Sequence, residues 1–123
     1  MANLLKVLAA LFFFSFIISK GYCQCKTENL KIVQQQTGKQ VQNKPEWTVT
    51  ISTGCPCTQL DVKLACDGFQ TVEPIASTVL AKSGGECVVN NGQPIFPSKD
   101  FSFTYAWDTS FQFKPLSSQI ACS

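Results

Sequence analysis

The sequence predicts an all-β fold, a disulfide-stapled antiparallel β-sandwich or small barrel preceded by a cleaved signal peptide. Apolar and polar residues alternate with a period of two over much of the chain, which is the pattern of half-buried strands. Seven cysteines follow an apolar leader, as in secreted disulfide-rich domains. Turn-forming residues recur between the alternating segments, and seven to nine strands at this spacing fit one domain in a chain of 123 residues.

The N-terminal segment has the layout of a secretory signal peptide. Met1 and Lys6 give it a positive start, and residues 7–18 form an apolar run that only Ser15 interrupts. A bilayer-spanning helix needs about 20 apolar residues, so this run is too short to span. Residues 1–23 are therefore predicted to be a signal peptide, with an uncleaved membrane anchor as the alternative.

The number of cysteines favours cleavage after Cys23. Cleavage after Gly21 would leave seven cysteines, whereas cleavage after Cys23 leaves six, and a secreted domain avoids an odd reactive thiol. The predicted mature domain is therefore 24–123, beginning at Gln24. It carries eight lysines and eight acidic residues, a balance that argues against cationic membrane disruption and against polyanion binding.

The remaining cysteines are expected to form three disulfides. A domain of this size buries only a marginal core, and each bridge would add about 2–4 kcal/mol. Cys55 and Cys57 lie two positions apart, and in an extended segment their Cβ atoms are too far from each other to be bridged by a disulfide. The other connectivities stay open. A zinc site or a redox-active pair is disfavoured, because a single Cys-x-Cys matches neither pattern. The six residues are Cys25, Cys55, Cys57, Cys66, Cys87 and Cys122.

The strands are predicted in chain order from the alternation of apolar residues. The clearest segments are 47–51, 62–66, 101–107 and 111–113, in which apolar side chains occupy every second position. Weaker candidates are 30–34, 69–72, 86–89 and 120–122. Only residues 75–82 are predicted as a short helix. Both ends of the mature domain are expected to be tied down by Cys25 and Cys122.

Turn signals separate these segments. The Asn91-Gly92 pair lies between residues 88–89 and 95–96 and predicts a type I′ hairpin turn, with Pro94 marking an exposed edge. The other predicted turns are at Gly38, Lys44-Pro45, Gly54, Asp67-Gly68 and residues 83–85.

The aromatic stripe of residues 101–107 has two interpretations. Phe101, Phe103, Tyr105 and Trp107 lie on one side of one strand, which favours the filling of a sheet face. The alternative is a platform of exposed rings that stacks on sugars, as in a cell-wall carbohydrate-binding module. Trp47 is likewise interpreted as a core residue.

Several chemistries are excluded or disfavoured by composition. The chain has no His and no Arg, so it has no imidazole base, no Ser-His-Asp or Cys-His arrangement and no arginine-rich nucleic-acid segment. Most carboxylates lie beside turns and are interpreted as solvated or capping groups rather than a glycosidase pair. We expect no enzyme activity, no cofactor, no metal and no nucleic-acid partner.

A set of motifs resembles the Tapetum Determinant family of small secreted plant proteins. The resemblance covers residues 24–123, and the combination is more specific than any of its parts. The motifs are Lys44-Pro45-Glu46-Trp47, Cys55-Pro56-Cys57, and the segments 66–74, 87–95, 103–108 and 120–123.

The resemblance implies a secreted, extracellular signalling ligand of the apoplast. The founding member specifies tapetal cell fate in the anther through the ectodomain of a leucine-rich-repeat receptor kinase at the plasma membrane. A receptor-kinase ectodomain is therefore the expected partner, and no membrane insertion of the mature chain is expected. Inhibition of a secreted hydrolase is a third hypothesis, although no distinctive reactive-site loop is evident.

Contact residues for such a partner are expected on loops, because loops carry binding functions more often than strands do. The candidate loops are 70–74, the Asn91-Gly92 turn and 108–111. The predicted contact residues are Gln70, Glu73, Asn91, Asp108 and Phe111.

Overall fold

The structure is a computed structural model that describes residues 25–122. Within these residues seven strands form two antiparallel sheets, with strand orders β1-β2-β6 and β4-β5-β3-β7, and neither sheet closes into a barrel. The predicted all-β fold is thus confirmed as a two-sheet β-sandwich. The strands are β1 (Lys31–Val41), β2 (Lys44–Ser52), β3 (Thr58–Ala65), β4 (Leu80–Ser83), β5 (Glu86–Val89), β6 (Phe101–Ala106) and β7 (Lys114–Ala121).

The core lies between the two sheets. From the first sheet, Val49 and Ile51 of β2 and the aromatic residues of β6 point inward, and from the second sheet Val62 and Leu64 meet them. Alternating Thr and Ser residues on β2 and β6 face outward, as the period of two requires. Phe103 and Tyr105 are buried, so the centre of the aromatic stripe fills the sheet face.

Two predicted strands are irregular loops in the structure. Residues 69–72 form a loop in which the Val72 amide donates to the Ala106 carbonyl at 3.0 Å, rather than a paired strand. Residues 111–113 precede β7, and their two phenylalanine rings pack around Phe69 at centroid distances of 5.2 and 5.4 Å. The alternation in this segment therefore reflects burial of rings and not pairing with a neighbouring strand.

The predicted helix at 75–82 is also wrong. The Val79 and Leu80 amides both donate to the Ala76 carbonyl, which makes a single turn, and β4 begins at Leu80. Leu80 pairs with Val89 of β5 and is buried there. Burial of Leu80 in the second sheet outweighs the local helical preference of this segment.

The hairpin predicted at Asn91-Gly92 does not form. Residues Asn90–Gly92 are a 3₁₀ turn with positive φ at all three positions, so the turn chemistry is as expected. The residues after this turn do not pair with β5. Instead, Ile95 forms an isolated antiparallel β-bridge with Gln59 of β3.

A two-residue hairpin turn occurs instead at Gln42-Asn43, where φ is 50° and 65°. The predicted turn at Lys44-Pro45 is therefore wrong, because both residues belong to β2. Pro45 is tolerated there because β6 pairs with β2 only from Glu46 onward. Gly38 lies inside β1, within the register shift between Gln36 and Gln40.

Three disulfides join the six cysteines that the sequence analysis assigned to the framework. Cys25 pairs with Cys55 and Cys57 with Cys122, so the two ends of the described domain are attached to neighbouring positions of the β2–β3 loop. Cys66 pairs with Cys87 across the β3–β5 ladder, with 6.0 Å between their Cα atoms.

The predicted signal peptide (1–23) and Gln24 lie outside the described residues. Among residues 25–122, no helix is both long and apolar enough to cross a membrane.

Candidate interaction surface

Three loops meet at one end of the sandwich. They are the β1–β2 turn, loop 70–74 and loop 107–113. We call residues 42–43, 70–73 and 107–110 the apical surface. Of the five predicted contact residues, Gln70, Glu73 and Asp108 lie on this surface, and Phe111 lies beneath it. Asn91 lies apart, on the turn that follows β5 and contacts β3.

Loop 70–74 is docked on the free edge of β6. The Val72 amide donates to the Ala106 carbonyl at 3.0 Å, and the Ala106 amide donates to Thr71 Oγ1 at 3.0 Å. Gln42 Nε2 of the β1–β2 turn reaches the Val72 carbonyl at 3.5 Å. These contacts satisfy the end of the β6 edge and bury Ala106 completely.

Loop 107–113 is held from β2. The Trp107 amide donates to the Pro45 carbonyl at 3.2 Å, and Trp47 Nε1 donates to the Trp107 carbonyl at 3.3 Å. Lys44 Nζ lies 2.7 Å from Asp108 Oδ1 and 5.6 Å from the centre of the Trp107 ring. An exposed ion pair contributes little to stability, so its main effect is to orient side chains on the surface.

A ring of hydrogen bonds supports the loop from below. The Tyr105 hydroxyl donates to Gln34 Oε1 at 2.5 Å and accepts from the Phe111 amide at 3.0 Å. Gln34 Nε2 donates to the Phe111 carbonyl at 2.5 Å. Burial raises the pKa of Tyr105, so its hydroxyl stays a neutral donor. Phe111 is half-buried against Phe69, so it anchors the loop.

Two carboxyl groups meet on the outer face of the first sheet, at the edge of the apical surface. Glu73 Oε2 accepts from Thr104 Oγ1 at 2.6 Å, while Glu73 Oε1 is buried and has no donor partner. The Glu46 carboxyl of β2 contacts that of Glu73 and also accepts from Thr37 Oγ1 at 2.8 Å.

The pKa values of the pair move in opposite directions. Burial raises the pKa of Glu73, and the neighbouring Glu46 carboxyl adds to the rise. The neighbouring Glu73 carboxyl, followed by the hydrogen bond from Thr37, lowers the pKa of Glu46. Glu46 is not among the predicted contact residues. Its outward position on β2 follows from the alternation, but its contact with Glu73 depends on how the distant loop docks.

One cavity and one group of sulfur atoms near the ends of the sandwich bear on small-molecule and metal binding. The cavity beside the apical surface, lined by Phe69, Gln70, Ile75 and Lys82 among others, has a volume of about 220 Å³. Small-molecule sites usually occupy roughly 300–1,000 Å³. The sulfur atoms of Cys25, Cys57 and Cys122 lie within 4.8 Å of one another, but all three are in disulfides, and metals bind the free thiolate.

The exposure of the rings bears on the carbohydrate hypothesis. Tyr105 is completely buried and Phe103 nearly so, which removes the middle of the proposed sugar platform. Trp107 is half-buried, and the Lys44 ammonium group lies over its ring. The aromatic stripe therefore offers no continuous exposed face.

Comparison with known proteins gives a family and two relatives. Residues 26–123 match the family described as "Tapetum determinant 1, C-terminal", which is not a family of enzymes. The chain is 32% identical over 101 residues to "Uncharacterized protein At1g05835" of Arabidopsis thaliana, covering 80% of both chains. It is 27% identical over 101 residues to "TPD1 protein homolog 1" of the same species, covering 80% of this chain and 55% of that one. No solved structure matches.

Proposed function

The chain belongs to the Tapetum determinant 1 family, and from this premise we propose that it is a secreted ligand in plant development, acting in cell-fate specification. Its partner is the ectodomain of a leucine-rich-repeat receptor kinase at the plasma membrane. The observation that carries the proposal is the family match, which extends over almost all of the described domain. Because the chain spans only about half of TPD1 protein homolog 1, the specific anther role is part of the proposal.

The rigidity of the scaffold supports a binding role. Three disulfides and a shared core fix the two sheets, and backbone hydrogen bonds fix both apical loops. A preorganised surface loses little conformational entropy when it docks, so a modest contact area gives useful affinity. The concave side of a repeat receptor is an extended surface that suits a small rigid ligand.

The chemistry of the apical surface favours recognition by hydrogen bonding. Its exposed side chains are mostly neutral and polar, and the lysine at its rim is paired with Asp108. Amide and hydroxyl groups supply both donors and acceptors. The described residues carry equal numbers of lysines and carboxylates, so long-range steering by net charge contributes little.

Surface plasmon resonance with the oxidised secreted chain tests this proposal against a panel of plant receptor-kinase ectodomains. We expect saturable binding to a subset, and a loss of at least about tenfold in affinity for Gln70→Arg and Ser110→Arg, since a buried unpaired charge costs more than 1.4 kcal/mol. Gln119→Arg, on exposed β7, is the matched control and should bind as the wild type does.

Two results would contradict the proposal. The first is an absence of binding to every ectodomain in the panel by a chain whose disulfides are intact. The second is quenching of tryptophan fluorescence by wall polysaccharides with no receptor binding, which would favour the carbohydrate-binding alternative.

A further inference from the structure

Loop 70–74 is attached to the first sheet by two kinds of contact. Backbone and hydroxyl groups of Thr71 and Val72 bind both polar groups of Ala106. The second contact is the Glu73 carboxyl, which reaches past the β6 edge to Thr104 on the outer face. The first contact is independent of pH, whereas the second carries a group that titrates.

The position of Glu46 makes this second contact unusual. Strand register places Glu46 of β2 directly opposite Ala106, the residue on which the loop docks. The Glu73 carboxyl is thus brought against a second carboxyl, and its buried Oε1 has no other donor. A buried acceptor without a donor is unfavourable, and one proton held between the two carboxyls removes that cost.

We propose that Glu46 and Glu73 form a proton-operated latch, in which one shared proton closes loop 70–74 on β2 and β6 and loss of that proton releases the loop. When both groups are ionised, two negative charges in contact repel each other. When one proton is shared, a carboxyl–carboxylate hydrogen bond replaces the repulsion. The proton belongs to the pair rather than to either residue.

The groups that face the pair come from two strands, β1 and β6. Thr37 and Lys39 of β1 lie beside Glu46, and Thr104 of β6 lies beside Glu73. Lys39 is the one charged neighbour among them and favours the ionised form of both carboxyls. Among the influences on the pKa of Glu73, that of Lys39 is the smallest. Burial and the Glu46 carboxyl therefore still raise this pKa.

The sign of the pH effect follows from these directions. The pKa of Glu73 in the folded protein is raised above 4.5, so the closed state binds a proton that the open or unfolded state has released. The latch therefore stabilises the closed loop at mildly acidic pH, and this stabilisation is lost as pH rises through the raised pKa. The pKa of Glu46 moves in the opposite direction, so the pair as a whole loses one proton in this window.

The consequence for the apical surface rests on the proposed function, but the latch does not. Loop 70–74 supplies part of the apical surface, so its release would alter receptor binding in the same pH window. Loop opening is measurable without any receptor. Failure of the latch and failure of the receptor proposal are therefore distinguishable.

Amide hydrogen exchange by NMR on the oxidised chain tests the latch. The probe is the Val72 amide, and its protection is corrected for the intrinsic pH dependence of exchange. We expect protection to fall by about threefold to tenfold from the ordinary glutamate pKa of 4.5 to neutrality. The Cys66 amide, bonded to the Gly85 carbonyl at 2.9 Å, is the internal control and should stay constant.

Two variants make the test specific. In Glu73→Gln the amide donates to the Glu46 carboxylate at any pH, so Val72 protection should stay at the acidic wild-type level. Glu46→Gln should behave alike, and it carries the test if the first variant does not fold. Glu86→Gln, at an exposed position of β5, should keep the wild-type profile. A flat wild-type profile, or an unchanged profile in the folded variants, would overturn the proposal.

Discussion

At the scale of single residues, one buried glutamine organises the end of the sandwich opposite the apical surface. Gln59 is completely buried and accepts a hydrogen bond from Ser118 Oγ at 2.7 Å. Its Nε2 lies within hydrogen-bond distance of the Lys26 and Thr53 carbonyls, at 3.3 and 3.4 Å. Four separate segments therefore meet at one side chain.

Replacement of Gln59 should show how much this network stabilises the fold. Gln59→Leu keeps the volume but removes the amide that bonds the Thr53 carbonyl, the Lys26 carbonyl and Ser118. Ser118 keeps its hydrogen bond to Thr27, and the Lys26 carbonyl keeps that from the Asn29 amide, so we expect a loss of about 1–3 kcal/mol in the free energy of unfolding. Urea unfolding with the disulfides intact measures this loss. Gln119→Leu, at an exposed position of β7, should change the free energy by less than about 0.5 kcal/mol. An equally small effect at Gln59 would contradict the role of the network.

The burial of Gln59 could not be predicted from the alternation of apolar residues. Strict alternation from Val62 and Leu64 would turn Leu60 inward and Gln59 outward. Asp61 adopts a φ of 50°, and the β3–β7 register shifts between Leu60 and Lys63, so the inward face changes at this bulge. Local periodicity carries no signal for such a shift, because the bulge is fixed by pairing with a strand more than 50 residues away.

At the scale of elements, the β1–β2 hairpin contains a turn that its sequence does not predict. Gln42 and Asn43 both adopt positive φ, which suits Asn better than Gln and suits Gly best. The long β1–β2 ladder and the attachment of β2 to β6 hold the turn in place. Tertiary pairing thus determines the turn, while the better turn signal at Asn91-Gly92 leads to no hairpin.

The positive φ at Asn43 gives a prediction of increased stability. Asn43→Gly should raise the free energy of unfolding by about 0.5 kcal/mol, because glycine adopts the required positive φ without a steric penalty. Thermal unfolding followed by circular dichroism measures the shift. Gln112→Gly, in an exposed loop with ordinary φ, should instead lower stability, and equal effects of the two variants would argue against relief of strain at the turn.

The elements that sequence reasoning placed correctly are those whose pattern and burial agree. The segments around Val49, Leu64 and Phe103 alternate because one face of each strand meets the opposite sheet. The apical loops were only partly predicted, since 70–74 and 108–111 were candidate loops while 69–72 and 111–113 were predicted as strands, and the contacts between the loops were not predicted. Glu46 and Glu73 lie 27 positions apart, and only the docking of loop 70–74 on Ala106 brings them together.

At the scale of the whole molecule, the three disulfides differ in their position and in the exposure of their cysteines. Cys25–Cys55 and Cys57–Cys122 lie at the end opposite the apical surface, and each includes sulfur near the surface. Cys66–Cys87 lies inside the core, with both residues exposed by 1% or less. Disulfide exchange requires a thiolate to reach a sulfur atom, so access decides the order in which the bridges react.

Stepwise reduction of the folded chain should therefore follow burial. With increasing dithiol reductant, Cys57–Cys122 and Cys25–Cys55 should open first, and Cys66–Cys87 should persist until the sandwich unfolds. Alkylation of the released thiols and mass mapping of the peptides gives the order. In denaturant, where all six sulfur atoms are accessible, the difference in rate should largely disappear. Early alkylation of Cys66 and Cys87 in the folded chain would show that the core opens far more readily than the packing of the two sheets implies.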